Sequence, residues 1–301
     1  MRIIKSKLVT WIDIMGPTEK DIVFLKENFH FHPFILKSII PFIRHPRFEN
    51  YKDYLFIVLH YPFLSKNKVI ETRELDLLIT KNTIITTHYD IIIPLRFLLG
   101  QLSLYEEKKE EFTDEGTGEL LYRILDEFLK SIYPQLDYIV EGIERVQKEI
   151  FNGKQKEVIS EISFLKENLI NFQKIIRPQY IPFEGLKKEI GKFLGVSYTP
   201  YFVELYNSFL NIREIIQTHH QILNELEETN SNLLSTKTNE IIKILTIFTV
   251  ILTPIALLAN IFGMNITFPF NEKLVNFWAI IVMMTISLLA MIIYIKRKKW
   301  L

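Results

Sequence analysis

Two uncharged apolar runs near the C-terminus constrain this chain more than any other feature. Ile244 to Phe262 carries no charged residue, nor does Leu274 to Ile295, and only Glu272 and Lys273 stand between them as charges. A helix needs roughly 20 apolar residues to cross the hydrocarbon core of a bilayer, and both runs are of that length. A pair of buried core helices would instead need a large soluble core around them. Gly263 to Lys273 is short enough for a tight hairpin loop. Lys296-Arg297-Lys298-Lys299 follows the second run, and the positive-inside rule assigns that cluster to the cytoplasm. Two crossings return the N-terminal part to the same side. Its opening, MRIIKSKLVTWIDIMG, reads as a first β-strand rather than a secretory signal, because Asp13 interrupts the apolar stretch and no small-residue cleavage site follows. The expectation is a multi-pass protein of the inner (plasma) membrane with both termini in the cytoplasm.

Ahead of the membrane the signals change character once. Leu8–Ile14 reads as a strand, Gly16-Pro17-Thr18 as a turn and cap, and the following residues to about Asn28 as a helix. His32-Pro33 opens another short helix, while Tyr54–His60, Leu75–Ile79 and Thr83–Thr87 are β-type runs. This predicts a small sheet flanked by helices. From about Pro94 the pattern is helical, with Thr117–Phe151 broken only by Pro134 and with Gly153, Pro178, Pro182, Gly191 and Gly195 as punctuation. Tyr201 to Ile261 holds no glycine and only Pro254 as a proline, so one continuous helix of roughly 90 Å is expected at about 1.5 Å per residue. Its apolar stripe, Leu205, Phe209, Ile212 and Ile216, needs a partner, and self-association about an axis is the expected one.

The first span also carries a polar stripe. Asn239, Thr246, Thr249, Thr253 and Asn260 fall at spacings of three, four and seven residues, and Ile242 and Ala256 complete the same helix face. Hydroxyls and amides facing a central axis would form successive sites for a hydrated ion. The alternative is that each threonine bonds its own i−4 carbonyl and faces a neighbouring helix. Pro254 is expected to bend this helix. Gly263-Met264-Asn265 ends the stripe. On its residues alone the triplet fits an ordinary helix C-cap as well as a pore mouth, since Gly and Asn both suit left-handed backbone.

Composition removes several function classes. No cysteine is present, which excludes disulfides, thiolate metal sites and a cysteine nucleophile, and a net charge of +1 gives no reason to expect nucleic acid. No Walker-type loop appears, and Gly116-Thr117-Gly118 lacks the strand that a phosphate loop requires. Adjacent His219 and His220 point to different helix faces. Glu225, Glu227 and Glu228 read as a solvated face, and Asn265-Ile266-Thr267 as a coincidental glycosylation sequon. No catalytic triad or carboxylate pair can be placed, so an enzyme is not expected.

The residues Lys237-Thr238-Asn239-Glu240, the segment IIKILTIFTVILTPIALLANIFGMN and the ending KRKKWL together resemble the stalk end, first span, GMN motif and basic tail of CorA-type channels. The similarity extends back through YFVELYNSFL, ELLYRILDEFLKSIYPQLD, TRELDLLITKNTIITTH, His45-Pro46-Arg47-Phe48-Glu49-Asn50-Tyr51 and WIDIMGPT, which is nearly the whole chain. The resemblance implies a funnel-shaped homopentamer with an α/β cytoplasmic domain, a long stalk helix and two C-terminal transmembrane helices, the first lining the pore. It implies a selectivity filter at Gly263, Met264 and Asn265, with Asn239 as a cytoplasmic-end pore asparagine and Leu245 as a narrow hydrophobic constriction. It also implies closure by cytoplasmic Mg²⁺ at acidic sites between subunits, for which Glu204 stands at the matching register. Thr253 falls where a bulkier methionine is frequent, Phe262 where tyrosine is usual, and ITFPFNEK lacks the acidic Met-Pro-Glu-Leu pattern.

The resulting expectation is passive, potential-driven uptake of Mg²⁺, with Co²⁺ and Ni²⁺ as further candidate ions. The alternatives are a ZntB-like Zn²⁺ transporter and, more remotely, a membrane-anchored sensor. The expected organisation is an α/β domain at 1–92, a helical part at 93–200, a stalk at 201–243, spans at 244–262 and 274–295, an external loop at 263–273 and a basic tail at 296–301. The expected partners are further copies of the chain, the lipid bilayer and divalent cations, not nucleic acid.

Overall fold

A computed structural model describes residues 1–40, 45–113, 116–264 and 273–298. The chain forms two compact units, Met1–Glu227 and Glu228–Leu301. The first begins with a hairpin, β1 (Arg2–Lys5) and β2 (Thr10–Met15), in place of one strand over Leu8–Ile14. Leu8 sits in the turn and is exposed, because Ser6 closes the hairpin by accepting from the Val9 N–H and donating its hydroxyl to the Val9 carbonyl. Helix α1 (Glu19–Asn28) starts where expected. The Asp21 carboxylate accepts from the Thr18 N–H at 2.9 Å and the Thr18 hydroxyl at 2.6 Å, which fixes the first turn. Next come α2 (Pro33–Ile39), β3 (Arg47–Tyr51), β4 (Tyr54–Leu64), β5 (Ile70–Ile79) and β6 (Thr83–His88).

These strands make one sheet in the order β1-β2-β6-β5-β4-β3, antiparallel except for the parallel pair β2–β6. Alternate residues face opposite sides. Ile12, Ile14, Phe56, Val58, Leu78 and Ile85 join Leu25, Ile35 and Ile39 of α1 and α2 in one core layer. Trp11, Leu55, Ile57, Leu77 and Ile84 are equally buried among the helices that follow. Both faces being covered explains why Tyr54–His60 reads as an unbroken apolar run rather than an alternation.

The helical part comprises α3 (Ile93–Leu104), α4 (Glu106–Thr113), α5 (Thr117–Lys130), α6 (Tyr133–Phe151), α7 (Ile159–Ile176), a 3₁₀ turn at Arg177–Gln179, α8 (Tyr180–Phe193) and α9 (Thr199–Gly263). Pro134 falls in the first turn of α6, where a missing N–H leaves no bond broken. Gly191, expected as punctuation, lies inside α8, where a Cβ would come 2.4 Å from the Thr199 hydroxyl oxygen. Close approach, not a turn, requires glycine there.

Beyond β3, which pairs only with Tyr54–Val58, the outer backbone edge of β4 is closed by side-chain amides. Gln179, wholly buried, accepts from the His60 N–H at 3.3 Å and donates to the His60 carbonyl at 2.7 Å. Gln135 accepts from the Leu64 N–H at 2.8 Å. On β5, Asn168 accepts from the Ile70 N–H at 2.9 Å. Each amide imitates a strand and ties α6, α7 or the 3₁₀ turn to the sheet.

The stripe Leu205, Phe209, Ile212 and Ile216 does not await another copy of the chain. Each of these residues is at most 2% exposed within the first unit, and Phe209 stacks on Phe183 of α8 with centroids 4.8 Å apart. The expectation of self-association on this stripe is therefore corrected: packing within the first unit covers it, with α8 against Phe209. The second unit holds the end of α9 and α10 (Lys273–Arg297).

Candidate functional site

Two helices among the described residues are long and apolar enough to cross a membrane, by length and composition. Their most apolar windows are 0% and 6% buried. A soluble core helix would be mostly buried, so these faces are open to a further surrounding. Between Ile244 and Gly263 the half-buried positions of α9 are Thr246, Ile247, Val250, Ile251, Pro254, Ile255, Leu258 and Phe262, a spacing of one helix face. On α10, Ile280, Met284, Ser287, Leu288, Met291 and Ile292 recur at the same period.

The polar stripe lies elsewhere. At about 100° per residue, its centre is roughly 130° round α9 from the half-buried face. Asn239, Ile242, Leu245, Thr249, Thr253, Ala256 and Asn260 are all exposed, and Thr246 alone is shared with the half-buried set. The amides of Asn239 and Asn260 make no hydrogen bond among the described residues. The threonines behave as the local alternative predicts. Thr246 donates to the Ile242 carbonyl at 2.7 Å, Thr249 to Leu245 at 2.9 Å and Thr253 to Thr249 at 2.7 Å. This satisfies each hydroxyl proton inside the helix and leaves the oxygen lone pairs facing outward as acceptors. Water bound to a cation presents only donors, so acceptors are what a hydrated ion needs. The helix is continuous through Pro254, whose ring removes one backbone donor without ending it.

At the end of α9, Gly263 is the last helical residue and is absent from the positive-φ glycines. A Cβ there would meet nothing within 4 Å. Gly263 therefore does not adopt the left-handed backbone of a C-cap, and its small size leaves open space instead. Met264 is 58% exposed, and its N–H donates to the Ile261 carbonyl. Asn265 and the rest of the loop to Glu272 lie outside the described residues, as does Lys299 of the basic cluster. Lys296 and Arg297 occupy the last turn of α10.

Glu204 is exposed near the start of α9. Beside it, the Tyr122 ring lies 5.2 Å from Tyr201, and the Tyr122 hydroxyl is pushed up by burial and then by the charges of Asp126 and Glu204. Asp126, one turn before Lys130 and paired with it at 2.6 Å, was not singled out in the sequence. The contact of Tyr122 on α5 with Tyr201 on α9 puts both carboxylates within electrostatic reach of the Tyr122 hydroxyl. No group of three or more His, Cys, Asp or Glu side chains that could hold a metal occurs among the described residues. Of the other motifs, Glu227 bonds Lys166 of α7 at 2.6 Å and His219 contacts its own i−4 carbonyl. Thr117 donates to the Lys81 carbonyl while Tyr198 crowds Gly118, so Gly116-Thr117-Gly118 is a packed junction.

Compared with known proteins, residues 6–297 match the sequence model described as CorA-like Mg²⁺ transporter protein. The cobalt/magnesium transport protein CorA of Thermotoga maritima is 28% identical over 305 residues, covering 98% of this chain and 84% of that protein. The complete structure of the CorA magnesium transporter from Methanocaldococcus jannaschii superposes with a TM-score of 0.85 at 23% identity, covering 99% of this chain and 93% of that one. The ZntB cytoplasmic domain from Vibrio parahaemolyticus is more distant, with a TM-score of 0.60 at 15% identity over 77% of this chain and 90% of that one.

Proposed function

Since the chain belongs to the family of CorA-like Mg²⁺ transporters, we propose that it admits Mg²⁺ passively through a pore lined by the polar stripe of α9. The exposed stripe itself carries this reading. An amphipathic span with amides and hydroxyl oxygens on an uncovered face would be costly in lipid, and burial around a shared water-filled axis removes that cost. A homopentamer with a funnel-shaped cytoplasmic part supplies the axis, with α9 innermost and α10 outside. In that assembly Thr246, Thr249, Thr253 and Asn260 offer acceptor rings to the waters of a hydrated ion, and Asn239 offers another at the cytoplasmic end. Ile242 and Ala256 are apolar members of the same lining. Leu245 narrows the pore and gates it by excluding water.

Gly263, Met264 and Asn265 form the outer mouth. The space around Gly263 lets neighbouring chains approach closely, and five Asn265 amides accept hydrogen bonds from the ion's water shell. Mg²⁺ parts reluctantly with that shell, so a filter that grips water rather than metal favours both entry and release. An inside-negative potential of about 100 mV contributes roughly 4.6 kcal/mol for a divalent cation, at about 2.3 per charge. Nucleotide hydrolysis is unnecessary. Co²⁺ and Ni²⁺, of similar charge and hydration, are further candidate substrates. The more distant fold likeness to a ZntB domain keeps Zn²⁺ transport as the second reading. Membership of a transporter family leaves the membrane-anchored sensor without support.

In this reading both termini lie in the cytoplasm of a cell whose inner (plasma) membrane holds the spans, which the basic last turn of α10 supports. Closure is assigned to Mg²⁺ bound at Glu204, with Asp126 as the neighbouring carboxylate. Glu204→Ala should leave maximal flux unchanged while raising by several-fold the cytoplasmic Mg²⁺ concentration that closes the channel. Currents recorded from excised patches at stepped Mg²⁺ concentrations would measure this, and an unchanged dose response would remove Glu204 from the sensor.

A further inference from the structure

Four described arginines of the first unit have a fixed partner. Arg123 is held by Glu119, Arg145 by Glu161 and Lys188 by Glu184, and Arg47 by Glu49. Arg73 lies over the Phe63 ring and donates to the Ile91 carbonyl. Arg2, Arg96, Arg177 and Arg213 differ: among the described residues they make no hydrogen bond, ion pair or ring contact. They fall into two pairs, and each pair lines one cavity. Arg2 and Arg96 share theirs with Asp13, a carboxylate that offsets part of their charge. Arg177 and Arg213 have no such relief.

Their cavity, about 610 Å³, lies between the end of α7 with its 3₁₀ turn and the first half of α9. Gln173 and Arg177 stand one turn apart on one wall; Arg213, Gln217 and His220 follow one another along the other. No acidic side chain lines it. Ile176 and Ile216, each 1% exposed, lie behind its polar lining, and the Tyr180 ring borders it. Two guanidiniums from separate elements stand beside neutral amide and imidazole groups, with no carboxylate in the lining to balance their charge.

We propose that this cavity binds a phosphate-bearing anion of nucleotide size. Planar guanidinium forks match phosphate oxygens in paired hydrogen bonds, and a multiply charged anion removes the mutual repulsion of two unpaired arginines. The volume falls within the range of small-ligand sites and exceeds what a lone phosphate fills. The half-buried Tyr180 ring gives a nucleobase a face to lie on. The proposal is independent of which cation the protein carries.

The test is titration calorimetry of the full chain in detergent, in EDTA so that no Mg²⁺ bridges the phosphates, with ATP and pyrophosphate as probes. Saturable ATP binding is expected, tighter than pyrophosphate binding. Arg177→Gln and Arg213→Gln should each weaken it about tenfold or more, as loss of a charge-assisted hydrogen bond does, while Arg96→Gln leaves it unchanged. No saturable binding of either probe would overturn the proposal, as would equal weakening by Arg96→Gln. Light scattering on the same samples reads the number of chains per particle. A change in that number caused by Arg177→Gln or Arg213→Gln, without a change in ATP affinity, would assign the arginines to contact between copies and also overturn it.

Discussion

Asn265→Ala is expected to reduce Mg²⁺ flux into proteoliposomes by about tenfold or more, without altering the assembly of the protein. The substitution removes the amide oxygen assigned above to the proposed outer mouth and keeps a Cβ at that position. Hydrogen bonds to charged partners contribute about 1.5–3 kcal/mol, and each 1.4 kcal/mol is about a factor of ten in occupancy. In the proposed homopentamer every acceptor in the ring is lost together. Asn265→Asp separates binding from conduction. A ring of carboxylates should hold the ion more tightly and pass it more slowly, since permeation requires release as well as capture. Flux for Asn265→Ala equal to that of the unaltered protein would remove Asn265 from the filter.

The second large effect concerns stability. Gln179→Leu should destabilise the first unit by about 3 kcal/mol, because two buried backbone groups lose their partner and the isosteric leucine supplies none. Gln179 is fully buried, and its amide both accepts from and donates to His60 on the uncovered stretch of β4. For a unit of this size the loss corresponds to roughly 6–12 °C in Tm, at about 2–4 °C per kcal/mol. Thermal unfolding of the detergent-solubilised protein measures it. A shift of about 1 °C or less would mean that water replaces the amide at that edge.

The contrast between these two residues reflects what a sequence carries. Long, uniform signals were legible: both spans, the continuous α9, the cap at Thr18 and the buried run of β4 follow from hydrophobic period, capping chemistry and the absence of glycine. The stripe from Asn239 to Asn260 could be placed on one helix face by spacing alone. Features depending on distant packing were not legible. The hairpin at Ser6–Val9 hid inside a basic, apolar opening. Gln179, Asn168 and Gln135 look like ordinary polar residues until the sheet edge they close is in view. The cover of Phe209 by Phe183 of α8 depends on chain reversal over more than a dozen residues, so the stripe reads from sequence as an interface with another copy. Glycine misled in both directions. Gly191 serves close contact inside a helix, and Gly263 is helical with open space around it, whereas Gly153 and Gly195 do adopt the left-handed conformations expected of punctuation. Asp126 carries no motif, and only the fold puts it beside the Tyr122 hydroxyl that also senses Glu204.

The central claim is that the membrane potential alone drives Mg²⁺ through this protein. Uptake into proteoliposomes containing only this chain, with the potential set by a K⁺ gradient and Mg²⁺, Co²⁺ and Zn²⁺ supplied in turn, tests it most directly. Mg²⁺ entry should rise as the interior is made more negative and should need neither nucleotide nor a proton gradient. Zn²⁺ entry that follows a proton gradient, with no Mg²⁺ entry at any potential, would contradict the account.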